Sequence, residues 1–91
     1  MKITKHMLDV LIDRINTKAG APLTPYTRTP EGNIVANIGN YHLDCAYGGY
    51  QLCVMQNNGG GIHNITSGYD TKKDMYYQLQ AFLAGMEAVK Q

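Results

Sequence analysis

Apolar residues form two helical stripes, separated by an alternating stretch punctuated with glycine. Across residues 4–18, Met7, Leu8, Leu11, Ile12 and Ile15 recur at the i, i+3, i+4 spacing of one helical face. Lys5, Asp9, Asp13 and Arg14 fall largely off that stripe and read as a solvated face. Thr4 suits the N-cap. Gly20 is placed to end the helix in a left-handed conformation, and Pro22 stops it continuing. The second stripe is Met75, Leu79, Phe82, Leu83, Met86 and Val89, which predicts a helix over residues 71–89. Thr71 and Asp74 resemble a capping pair at its start, and Tyr76 and Tyr77 broaden the stripe there.

Residues 20–33 read as irregular chain restricted by Pro22, Pro25 and Pro30, with Pro30-Glu31-Gly32-Asn33 as a turn. Pro25-Tyr26-Thr27-Arg28 reads as extended, which points Tyr26 and Arg28 the same way. They form either a stacking and anion-holding pair or simply an edge-packed tyrosine and a solvated arginine. A meander follows, with strands at 33–38, 41–47 and 50–56, turns at Gly39-Asn40 and Gly48-Gly49, a flexible connection at 57–61 and a fourth strand at 62–66. Gly48-Gly49 as a hairpin loop sets the register. Tyr47 then faces Tyr50, Cys45 faces Leu52, Leu43 faces Val54 and Tyr41 faces Gln56, all on one largely apolar side. His42, Asp44, Ala46, Gln51, Cys53 and Met55 take the other side.

The expected architecture is α+β: helix, three- to four-stranded antiparallel meander, helix. It has two layers, with both helices on one sheet face, in a single domain of residues 1–91. The second sheet face is expected to be open or covered by a partner subunit.

A chain of 91 residues buries a modest core, and this favours a homo-oligomer over a monomer. A formal net charge of +1 supplies no strong field for nucleic acid or acidic membrane. No apolar run approaches the roughly 20 residues that span a bilayer. The N-terminus leads into an amphipathic pattern rather than a signal peptide, so the cytoplasm is expected. Alternation sends Cys45 and Cys53 to opposite faces, which argues against a disulfide and for small packing residues in a reducing compartment.

Catalytic signals are weak: there is no nucleophile elbow, supported carboxylate pair or Walker-type loop. His42, Asp44 and Cys53 share a face without a positioned base. His42, Cys53 and His63 lack the tight spacing of a structural zinc site. The expectation is a non-enzyme without cofactor or metal.

Tyrosines carry the most coherent signal, being seven of eight aromatic residues. Each couples an apolar face to a polar tip, which suits interfaces and flat rings. Lys72 and Lys73 begin the second helix, where the dipole favours an anion. Gly60 and Gly61 permit close backbone approach. The expected ligand-binding set is therefore Tyr26, Arg28, Tyr41, Tyr47, Gly48, Gly49, Tyr50, Gly60, Gly61 and Lys72. Tyrosines would stack on bases, Arg28 and Lys72 would meet phosphates, and the glycines would let the backbone approach. The same tyrosines suit a protein interface, for which the exposed sheet face offers His42, Gln51 and Met55. Nucleic-acid binding is disfavoured by the near-neutral charge.

The motifs Pro25-Tyr26-Thr27-Arg28, Gly39-Asn40-Tyr41-His42-Leu43, Ala46-Tyr47-Gly48-Gly49, Gly59-Gly60-Gly61, Ala81-Phe82 and Gly85 carry a resemblance. The chain resembles short proteins encoded by phages and prophages, over most of residues 25–86, with the tyrosine-glycine-glycine hairpin as the most specific part. It is similar in size, and in lacking a catalytic constellation, to anti-defence nucleotide sponges of the anti-CBASS-like kind. These are oligomers that bind cyclic dinucleotide immune signals without cleaving them. The resemblance implies a homo-oligomer that sequesters a cyclic nucleotide signal in the host cytoplasm. The alternative it leaves is an interaction module that inhibits a host protein through the exposed sheet face.

Overall fold

The computed structural model describes residues 2–89. In chain order the elements are α1 (Lys5–Ala19), β1 (Tyr26–Arg28), β2 (Ile34–Ala36), β3 (Tyr41–Ala46), β4 (Gly49–Met55), β5 (Ile62–Asn64) and α2 (Lys72–Val89). The class is α+β, as the pattern predicts. Thr4 caps α1 by accepting the Met7 N–H at 3.3 Å, and Gly20 ends it at φ 68°. At α2 the Asp74 N–H donates to Thr71 Oγ1 at 3.2 Å.

The core is a sandwich of the two helices and one strand. Leu8, Leu11, Ile12 and Ile15 of α1 meet Met75, Leu79 and Leu83 of α2 and Leu52 of β4. Each such side chain contributes about 1.5–3 kcal/mol on burial. Leu43, Tyr41 and Tyr50 flank the cluster from the same sheet face, and Tyr41 packs tilted on Phe82 with ring centres 5.6 Å apart. Both helices therefore cover the face expected to be apolar.

Asn16 interrupts the apolar stripe of α1 and is fully buried. Its Nδ2 donates to the Tyr41 carbonyl at 2.9 Å, and its Oδ1 accepts the Tyr41 N–H at 2.7 Å. A side-chain amide thus does for the outer edge of β3 what a further strand would do. It closes both backbone groups there and ties α1 to the sheet.

Three expectations need correction. The strand at 33–38 does not join the meander: β2 pairs with β1, Thr27 opposite Val35, as a separate two-stranded sheet. The connection to β3 is as short, so loop length does not decide it; Asn37 holds the end of β2 to β1, its N–H donating to the Pro25 carbonyl at 2.8 Å and its Nδ2 to the Thr24 carbonyl at 2.9 Å and Thr27 Oγ1 at 2.8 Å. The three-stranded sheet then runs β3–β4–β5.

The hairpin register is also shifted by two residues. Leu43 faces Leu52 and Cys45 faces Tyr50, so the turn is Tyr47-Gly48 rather than Gly48-Gly49. Gly49 is needed in the strand instead. A Cβ there would lie 3.0 Å from the Asp70 carbonyl oxygen and 3.0 Å from Tyr69 Cβ, because the chain entering α2 crosses at that point. A slip of two preserves which face each side chain takes.

Finally, the second sheet face is not open along β4. Gln51, Cys53 and Met55 are buried within the protomer, and Gln51 Nε2 donates to the Thr66 carbonyl at 3.1 Å as the chain at 64–68 folds back.

Candidate functional site: the hairpin end and the arm

The residues expected to bind ligand fall at two ends of the molecule. Tyr47, Gly48, Gly49 and Tyr50 sit at the β3–β4 turn, and Lys72 begins α2 nearby, because Tyr50 and Asp70 exchange backbone hydrogen bonds of 2.8 Å each. Tyr26, Gly60 and Gly61 gather at the opposite end of β4. There Gly60 lies with its would-be Cβ 3.5 Å from the Tyr26 hydroxyl, and the Ala36 N–H reaches the Asn58 carbonyl. Strand β4 separates the two ends by roughly 20 Å at about 3.3 Å per residue. Arg28 is exposed on β1, part of an arm formed by β1 and β2 at that far end. Tyr41 pairs with Val54 near that far end, half-buried on Phe82 and pinned by Asn16. One protomer therefore does not bring Arg28 and Lys72 to a common phosphate.

The hairpin end has the more developed geometry. Tyr47 has φ 53°, alone among the described non-glycine residues in the left-handed region, and Gly48 follows at φ 74°. Two positive φ values in a two-residue loop are the signature of a type I′ turn, whose twist matches the strands. The Tyr47 side chain is 96% exposed and meets Tyr69 edge-on, with ring centres 5.7 Å apart. Tyr69 in turn donates its hydroxyl to Asp44 Oδ2 at 2.5 Å. That bond to the carboxylate, with some burial, pushes the Tyr69 phenol up to about 12. Asp70 accepts from Gln78 Nε2 at 2.8 Å, while Asp74 in the first turn of α2 is exposed. Lys72 and Lys73 are exposed on the first turn of α2. Lys5 borders the same end from α1. Its pKa is raised chiefly by the hydrogen bond to Asp9, and Cys45 and Tyr50 lie close enough to add to the effect.

At the far end Asn57 organises the glycine loop. Its Oδ1 accepts the N–H groups of Gly59 and Gly61 at 3.0 Å each, and a side chain at Gly61 would run into the Asn57 amide. These amides serve the loop itself and are not offered to a phosphate.

The thiols take opposite faces, as their alternation predicts, and both are free, but their burial reverses the expectation: Cys45, on the face with Leu43 and Leu52, is exposed, and Cys53, on the face expected to be open, is buried. Burial first, then the charge of Asp44, pushes the Cys53 thiol up, which makes it a poor nucleophile. His63 pairs with Val54 and so takes the sheet face opposite His42 and Cys53. Among the described residues no three His, Cys, Asp or Glu side chains gather as a metal site would require. No helix of the described residues is long and apolar enough to cross a membrane.

A groove of about 480 Å³ lies elsewhere, between α1 and α2, lined by Asp13, Arg14, Thr17, Lys18 and Glu87. Its charges are mixed, and none of the expected binding residues line it. Sequence reasoning also missed the Asp44–Tyr69 bond. Both residues were in view, but no spacing rule links a strand residue to a loop tyrosine that far along the chain.

No family model, curated protein or solved structure matches the chain.

Proposed function

We propose that this chain is a non-catalytic binding protein that sequesters a small anionic ligand of the nucleotide class, in the manner of an anti-defence sponge. The hairpin end is its contact surface. The observation that carries the reading is Tyr47, a ring 96% exposed on a turn residue at φ 53°. A tyrosine in that conformation costs about 1–2 kcal/mol, and its ring returns almost nothing to the core. Tyr69 supplies a second ring fixed by Asp44, and Lys72 and Lys73 bring positive charge beside it. A base stacks on the tyrosines while its phosphates face the lysines and the first turn of α2. Docking on a host protein through His42, Gln51 and Met55 finds less support, since Gln51 and Met55 are buried in the protomer.

Calorimetry of the full chain against a panel of cyclic di- and trinucleotides tests the reading, with chromatography of the released ligand to show that it is intact. Tyr47→Ala should weaken binding by roughly 5- to 150-fold, the worth of about 1–3 kcal/mol of base stacking. Absence of heat across the panel, or equal binding by the variant, refutes it.

A further inference from the structure

We propose that β1 is the edge through which two copies of this chain associate. They join β1 to β1 antiparallel about a two-fold axis at Thr27, making one continuous β2–β1–β1–β2 sheet. The inference stands whether or not the hairpin end takes a nucleotide.

The phase of the β1–β2 hydrogen bonds decides which groups are free. The Asn37 N–H donates to the Pro25 carbonyl and the Thr29 N–H to the Asn33 carbonyl, each at 2.8 Å. Thr27 therefore turns its backbone groups toward Val35. Tyr26 and Arg28 turn theirs away, along the open edge of β1. The Tyr26 carbonyl accepts Thr24 Oγ1 at 3.2 Å, which leaves it one lone pair for a strand partner. Asn16 closes β3 at Tyr41 only, and Asn58 accepts the Ala36 N–H of β2 at 3.4 Å. Exposed strand edges of this kind are templates for pairing with another chain.

The edge is also complementary to itself. An axis at Thr27 sets Tyr26 directly opposite the second copy's Arg28, and Arg28 opposite the second copy's Tyr26. This is the reciprocity an isologous contact demands. The two side chains share a face, so each guanidinium lies over a phenol ring at the ~5.5 Å spacing of a hydrogen-bonded pair. Two rival edges pair less well: β5 would set Ile62 against the second copy's Asn64, an apolar side chain against an amide, and the stretch of β3 open at Leu43 and Cys45 would set Asp44 against the second copy's Asp44, like charges face to face.

Shape and surface agree. The radius of gyration is 13.6 Å, against about 12 Å for a compact chain of this length, so the molecule is less compact than its size allows. Leu23, Tyr26, Ile34, Val35 and Ile38 are all exposed on or beside the arm, Ile34 at 61% and Leu23 at 60%. Tyr26 and Ile34 share one face of the arm and Val35 takes the other, so the joined sheet would carry apolar side chains on both faces beside the seam.

Sedimentation equilibrium of the full chain should give a concentration-dependent dimer. Tyr26→Arg sets like charges opposite each other and should weaken the dimer by roughly ten-fold, the worth of two exposed cation–π pairs. Adding Arg28→Tyr restores the pairing in swapped order and should restore the dimer. Thr27→Cys in a Cys45→Ser background should cross-link under mild oxidation, because residues on the axis sit about 4.5 Å apart, within disulfide reach. Circular dichroism checks that each variant is folded. A monomer at every concentration overturns the proposal. So does a dimer that ignores Tyr26→Arg and cross-links through His63→Cys instead of Thr27→Cys.

Discussion

Tyr47→Asn separates what the ring does from what the backbone tolerates. The residue sits at φ 53°, ahead of Gly48 at φ 74°. Asn accepts the left-handed region far better than Tyr, and Asn-Gly is the preferred pair for a type I′ turn. Relief of strain should contribute about 1 kcal/mol. The loss is the edge-on contact with Tyr69 at 5.7 Å, worth about 0.5 kcal/mol at the low end for an aromatic pair, since the ring is 96% exposed. The variant should therefore be more stable by about 0.5 kcal/mol, a rise in melting temperature of roughly 2–4 °C for a domain this small. Thermal and urea denaturation followed by circular dichroism give the stability, and calorimetry on the same sample gives the binding. The expected result is a higher midpoint with nucleotide binding lost. A midpoint that falls by the equivalent of about 1 kcal/mol would make the ring structural and sink the strain argument. A rise with binding intact would detach the strain from function.

Adjacent glycines should respond differently to a methyl group. Gly48→Ala meets open space and only backbone strain, about 1 kcal/mol, whereas Gly49→Ala must push the chain at Asp70 away from β4 and should cost about 1–3 kcal/mol more. Equal urea midpoints would contradict the close approach. Asn16→Ala removes both hydrogen bonds to Tyr41 and should lower the unfolding free energy by about 1–3 kcal/mol; an unchanged urea curve would show that α1 does not depend on this link. Tyr69 makes stability pH-dependent at the alkaline end. Its folded pKa of about 12 lies above the ordinary 10.0, so its contribution is complete below pH 10 and is lost as pH rises from 10 to about 12. The stability advantage of wild type over Tyr69→Phe should fade across that window, and an advantage constant with pH would refute the Asp44 bond.

Both helices were legible because long periodic stripes with caps leave little freedom, and α2 begins within a residue of its expected start. The sheet was legible in its faces but not its register. Two adjacent glycines offered two possible turns, and the choice was made by Tyr69 and Asp70 crossing at Gly49, a contact between parts distant in sequence. Asn16 gave no signal, since a polar residue beside Ile15 looks like the border of the apolar stripe. The expected binding residues divided because adjacency along the chain says nothing of which end of a strand an arm attaches to. The anchoring of β1 at Gly60, through Tyr26, was the missing fact.

The core built from α1 and α2 shapes how this chain is made. Its two halves come from opposite ends of the described sequence, and Leu52 between them completes the cluster. During synthesis Leu8, Leu11, Ile12 and Ile15 leave the ribosome before Met75, Leu79 and Leu83 and wait for them. At about 5–20 residues per second that wait lasts several seconds. A half-made chain therefore carries an uncovered apolar stripe until α2 emerges. The core cluster can close only after α2 emerges, and a chain cut short before Met75 would lack the residues that cover the α1 stripe.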